Sequence, residues 1–142
     1  MRTMLLNTVT IKADDETLST IQELMPDGFS FSTFLPVPEE HTVTPWHTQQ
    51  WCFSNWGPAQ DTKWKLSART YSVVTRSNGL YYVFYTDTFR ACEALTYFAS
   101  MFPQADIIYT VGSGDDVEPR DYWEDTYVST DGELLFMEGV EG

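Results

Sequence analysis

The chain has 142 residues, with 21 Asp and Glu against 8 Lys and Arg, and a formal net charge of −13 at pH 7. Its 42% hydrophobic and 15% aromatic content excludes a disordered chain and provides for one domain, residues 1–142, with a substantial core. No apolar run approaches the roughly 20 residues needed to span a bilayer, the first fifteen residues carry no signal-peptide pattern, and Cys52 and Cys92 are too few for a disulfide framework; the expectation is a cytoplasmic protein without a membrane partner.

In chain order, Met4 to Lys12 alternates Leu5, Asn7, Val9 and Ile11 against Leu6, Thr8, Thr10 and Lys12, the pattern of a strand with one more apolar face. Asp14, Asp15 and Glu16 supply a helix start, since carboxylates cap free N–H groups and suit the helix dipole. Leu18, Ile21, Leu24 and Met25 share one helical face, and Pro26-Asp27-Gly28 ends it. Residues 29–64 are interrupted by Pro36, Pro38, Pro45 and Pro58. They also hold Phe29, Phe31, Phe34, Trp46, Trp51, Phe53, Trp56 and Trp64, which points to an ordered, aromatic-rich insert folded over the core with a short helix near 48–53.

Residues 66–76 and 80–86 read as paired strands, with Asn78-Gly79 as the turn because both positions accept positive φ. Asp87 or Thr88 is the expected cap of a second helix, whose buried stripe is Ala91, Leu95, Phe98 and Phe102, stopped by Pro103. A strand over 106–111, a loop over 112–116 and a second hairpin of 122–129 and 133–137 around Asp131-Gly132 complete the chain. The order βαββαβ predicts an α+β, ferredoxin-like sandwich with a C-terminal β-hairpin. That acidic hairpin, about 112–138, either extends the sheet or stands apart as a flap.

The acidity is uneven. Residues 1–40 carry −5, residues 41–103 carry +2 and residues 104–142 carry −10. A field of that sign repels phosphate backbones and favours basic partners, although acidity also serves solubility. The sharpest feature is Asp115, Asp116, Glu118, Asp121, Glu124 and Asp125, offset only by Arg120. EF-hand spacing is absent. On a strand, alternate carboxylates lie about 7 Å apart, near one phosphate repeat along a DNA strand, so these six form a candidate DNA-mimicking, partner-binding face. The plainer reading is a solvated hairpin that discourages edge pairing.

Trp51, Asn55-Trp56-Gly57 and Lys63-Trp64 resemble the YubB-type ferredoxin-like domain family of phage and plasmid proteins. Residues 58–61 separate Gly57 from the Thr62-Lys63-Trp64 stretch, where that family runs on directly, and residues 86–90 lack its Pro-rich Trp segment. The resemblance covers 4–137 by element order and 51–64 by residues; it implies a mobile-element origin and carries no catalytic residue.

Other constellations carry less. Trp46, Trp51, Trp56 and Trp64, near Lys63, Lys65, Arg69 and Arg76, suit stacking of unpaired bases, against which stand the net charge and an ordinary hydrophobic-clamp role. Glu39, Glu40, His41 and His47 offer metal-ligand types without a ligand spacing. Cys92, near a helix start, has the position of an activated thiol, but a buried small residue is the commoner case. No nucleophile elbow occurs. The expectation is a non-enzymatic phage or mobile-element accessory protein without a cofactor, binding a basic host protein of a nucleic-acid-handling defence system. The alternatives are a single-stranded nucleic-acid binder using Trp51, Trp56, Lys63, Trp64 and Lys65, or a small enzyme. An open strand edge or the Tyr-rich hairpin supports a homodimer.

Overall fold

The apolar alternation of Met4–Lys12 becomes the strand β1, which lies inside an antiparallel sheet. The computed structural model describes residues 4–26, 28–58, 72–76, 79–87, 89–113 and 123–137. After β1 come α1 (Asp15–Leu24), α2 (Phe31–Phe34), a 3-10 turn (Glu39–His41) and α3 (Pro45–Asn55). The hairpin β2 (Ser72–Arg76) and β3 (Gly79–Asp87) follows, then α4 (Cys92–Met101), β4 (Asp106–Ser113), β5 (Glu124–Ser129) and β6 (Leu135–Phe136). The sheet order is β2-β3-β1-β4-β5-β6, and the architecture is mixed α+β. The C-terminal hairpin extends the sheet: β5 pairs with β4, and β6 with β5.

Alternation sorts the sheet into two faces. Leu5, Asn7, Val9 and Ile11 of β1, Leu80, Tyr82, Phe84 and Thr86 of β3, and Ile107, Tyr109 and Val111 of β4 are buried on the helix side. Leu6, Thr8, Thr10, Tyr81, Val83, Tyr85 and Thr110 on the other side are partly exposed. Phe29 is central to the core, stacking on Phe84 at 5.0 Å and meeting Tyr82 and Phe98 edge-on. Offset and edge-to-face packing of this kind adds to the gain from burial alone. Thus the start of the proline-interrupted segment belongs to the core, as its aromatics require. Tyr82 adds a polar tie, its hydroxyl donating to the Met25 carbonyl at 3.0 Å just past α1.

Several local expectations are corrected. The helix expected near 48–53 runs Pro45–Asn55, because Pro45 occupies the first turn, where no N–H partner is needed, and Thr44 caps the helix by accepting from the His47 N–H. Gly79 pairs with Arg76 and Lys12 inside the ladder, so it is not a turn residue; Asn78 lies outside the described residues. A Cβ there would lie 3.2 Å from the Ile11 carbonyl oxygen. The second helix begins at Cys92, with Ala91 as its N-cap. Asp87 stays in β3, and Thr88 lies outside the described residues. Gly112 and Ser113, expected in a loop, extend β4, since Gly112 pairs with both Leu6 and Glu124. A Cβ on Gly112 would meet the Trp123 carbonyl at 2.3 Å, which explains how β5 approaches so closely. The last hairpin is shorter than expected, with β5 starting at Glu124 and β6 confined to Leu135–Phe136.

Candidate partner-binding surface

The first turn of α4 is satisfied by tertiary contacts instead of a capping side chain. The Ala91 N–H donates to the Tyr109 hydroxyl at 3.0 Å, and the Ala94 N–H donates to the Trp56 carbonyl at 3.2 Å. These are two of the donors that a helix start leaves free. Tyr109 donates in turn to Asn7 Oδ1, and the Asn7 amide donates to Leu5 O and Thr86 Oγ1. Burial pushes the Tyr109 phenol well above its ordinary range and that of Tyr82 up to about 12.

Trp56 is the C-cap of α3 and is 4% exposed. Its indole N–H donates to the Leu35 carbonyl at 2.9 Å. Gly57 follows at φ +102°, where a Cβ would sit 2.2 Å from the Arg90 carbonyl oxygen. The Asn55-Trp56-Gly57 run therefore docks α3 onto the start of α4. Trp51 is half-buried and meets Trp56 edge-on at 5.8 Å. Trp46 is 62% exposed. Lys63, Trp64 and Lys65 lie outside the described residues. Of the tryptophans considered for base stacking, Trp56 is thus committed to the core.

Of the six clustered carboxylates, Asp115, Asp116, Glu118 and Asp121 lie outside the described residues, while Glu124 and Asp125 stand on β5. Glu124 is exposed. Asp125 forms a 2.7 Å ion pair with Arg90, whose Nη1 also donates to the Tyr127 hydroxyl at 2.9 Å. The guanidinium lies over the Trp123 ring at 4.9 Å. Burial works against the Arg90 charge, but Tyr127 and Asp125 outweigh it and hold the guanidinium above its ordinary pKa.

Cys92 sits beside this group, and burial raises its thiol pKa, more than offsetting the hydrogen bond with Tyr127. A protonated thiol is a poor nucleophile, so the helix-start position does not activate it. Glu39, Glu40 and His41 form the 3-10 turn, and Nδ1 of His47 lies 2.6 Å from the Thr44 hydroxyl in the cap of α3. Among the described residues no three His, Cys, Asp or Glu side chains are placed to hold a metal ion. No described helix is long and apolar enough to cross a membrane.

A second group of acids emerges from the strand register. Lys12 at the end of β1 lies opposite Asp106 at the start of β4, and Ile107 lies opposite Ser129 at the end of β5. The β1–α1 junction, the start of β4 and the β5–β6 turn therefore share one end of the sheet. Two contacts tie these segments together: Gln104 Nε2 donates to Thr17 Oγ1 at 3.3 Å, and Gly132, at φ +94°, lies against Pro103. Asp14, Asp15, Glu16, Asp106, Asp131 and Glu133 are all exposed there. Asp14 also caps α1, accepting from the Thr17 N–H at 2.8 Å, and this bond lowers its pKa below the usual 3.8. Among the described side chains, Lys12 and Arg90 are the Lys and Arg cations, and Asp125 already pairs with Arg90. This acidic end escaped sequence reading because its members run from Asp14 to Glu133, far apart in the chain; the pairing of three strands is needed to find it.

No family model, no curated protein and no solved structure matches this chain.

Proposed function

We propose that this chain is a non-enzymatic accessory protein that binds a basic surface of a nucleic-acid-handling partner through its exposed carboxylates. The observation that carries this reading is the acidic end, where acids from three separate segments meet with Lys12 as the described Lys or Arg side chain among them. Such a concentration of one sign speeds encounter with a basic partner and competes with phosphate for the same cations. The acidic run from Asp115 to Asp125 adds to the negative charge of the chain, which is what a DNA-mimicking inhibitor of a host defence protein requires. The strand order β2-β3-β1-β4, with helices after β1 and β3, supports a ferredoxin-like core to which the α2–α3 segment and the β5–β6 hairpin are additions. That arrangement and the Asn55-Trp56-Gly57 docking are consistent with a YubB-type domain of mobile-element origin.

The test is affinity capture from a nuclease-treated bacterial lysate at about 50 and about 500 mM salt, a range over which exposed charge attractions weaken steeply. The wild-type chain is compared with the triple variant Asp106→Lys, Asp131→Lys, Glu133→Lys. The expected result is a basic nucleic-acid-binding protein held by the wild type at low salt and lost by the variant. Equal retention by both chains would refute the role of the acidic end. Retention seen only in a parallel capture without nuclease would transfer the reading to nucleic-acid binding around the exposed Trp46 and half-buried Trp51.

A further inference from the structure

A groove runs along α4 and leads into the acidic end. One concavity of about 560 Å³ follows α4 from Cys92 and Glu93 to Ser100 and reaches Glu133, with Leu35 and Tyr97 contributing apolar wall. A second, of about 480 Å³, shares Cys92 and Glu93 and continues to Phe53 and Phe89. Phe53 and Phe89 are exposed and meet edge-on at 5.4 Å. Large apolar side chains held in solvent beside a concavity are what a docking site presents.

Charge selects the occupant. Glu93 and Glu133 flank the first concavity and both are exposed. The cation lining the second is Arg90, already paired with Asp125. From Glu93 to Ser100 the helix rises on the order of 10 Å, about the length of three extended residues. We infer that this groove binds a short extended segment of a basic protein, with apolar side chains on the groove wall and two cations about three residues apart on Glu93 and Glu133. The inference rests on the proposed acidic, partner-binding function and assigns it a second, shape-selective contact.

The probe is a fluorescein-labelled peptide, Gly-Ser-Lys-Leu-Leu-Lys-Ser-Gly, titrated by anisotropy at low salt. Its controls replace both lysines with glutamate or both leucines with serine. Polylysine serves separately as a probe of the acidic end. The groove predicts at least about tenfold weaker binding for each control peptide. It also predicts at least about tenfold weaker peptide binding for Thr96→Arg, which places a cation on the groove wall at an exposed helical position. Asp14→Lys with Asp15→Lys should weaken polylysine binding and change peptide affinity less than about twofold. Equal peptide binding by the wild type and Thr96→Arg, with matching thermal melts, overturns the groove; polylysine binding that still depends on Asp14 and Asp15 would then leave the acidic-surface reading standing. Equal binding of the lysine and glutamate peptides, together with no response to polylysine, overturns both.

Discussion

Around the first turn of α4, polar groups are consumed by the fold. The Trp56 carbonyl, the Tyr109 hydroxyl and the Asn7 amide each close a bond to a neighbouring element, and the residues involved are buried. At the other end of the sheet, Asp15, Glu16, Asp106, Asp131 and Glu133 stand exposed, and Asp14 alone in that group is used as a helix cap. The contrast separates two kinds of conspicuous residue. Trp56 and the buried Asn7 amide attract attention in the sequence yet serve packing, since an unpaired buried polar group costs more than a paired one returns. The scattered acids look ordinary in the sequence yet stand exposed together at one end of the sheet, where the proposed function places the partner. Substitutions at the α4 start should therefore damage stability, and those at the acidic end should damage binding.

The largest stability effect is expected at Trp56. Trp56→Ala removes a buried indole, its bond to Leu35 and its packing on Phe31, and should cost about 3–5 kcal/mol in urea denaturation. A loss below about 1 kcal/mol would mean that the docking of α3 on α4 is not what holds this region.

An alkaline titration comes next. The Tyr82 phenol is raised from 10.0 to about 12 because burial disfavours the phenolate. A raised folded-state pKa gives stability that is fully present below pH 10 and is lost as pH climbs through about 12. The wild type should lose about 2–3 kcal/mol over that window from this group. Tyr82→Phe should flatten this part of the profile, while forfeiting the bond to Met25 at neutral pH. Identical slopes for the two chains would show that Tyr82 does not control the alkaline limb.

Asn7→Leu should follow at about 2 kcal/mol, because it leaves the Tyr109 hydroxyl without its buried acceptor. Adding Tyr109→Phe should recover part of that loss by removing the stranded donor, provided the Ala91 N–H tolerates the change. A double variant no better than the single one would place the cost at Ala91 instead. By contrast, the triple charge reversal at Asp106, Asp131 and Glu133 should shift stability by less than about 0.5 kcal/mol, as exposed positions do. A larger loss would show that these acids serve the fold.

Much of this molecule was legible where the signal is local. The alternation of β1, the Asp14 cap and the Leu95–Phe98 stripe depend on neighbours in sequence, and each falls within one residue or two of its expected place; the β2–β3 pairing is also local, though 66–71 of its expected first strand lie outside the described residues. Pro45 was misread because proline breaks a helix interior but opens a first turn equally well, and only the Thr44 cap distinguishes the two. The start of α4 was misplaced because its donors are met by Trp56 and Tyr109, which are distant in the chain. Glu124 and Asp125 were recognised as acidic, but the partner of Asp125 could not be, since Arg90 reaches it across the sheet from the start of α4.

The position of Ser129 tests the comparison most finely. It ends β5 next to the acidic turn, is 1% exposed and has a hydroxyl without a hydrogen-bond partner among the described residues. Here a polar group is buried, as at the start of α4, but is not consumed, as at the acidic end. Replacing an unsatisfied hydroxyl by hydrogen removes its desolvation cost and leaves only a small packing loss. Ser129→Ala should therefore be neutral or stabilising by up to about 1 kcal/mol in urea denaturation. If it instead destabilises by more than that, the Ser129 hydroxyl contributes to the fold through a bond, and the turn carrying Asp131 and Glu133 is anchored more firmly than its contact with Pro103 alone implies.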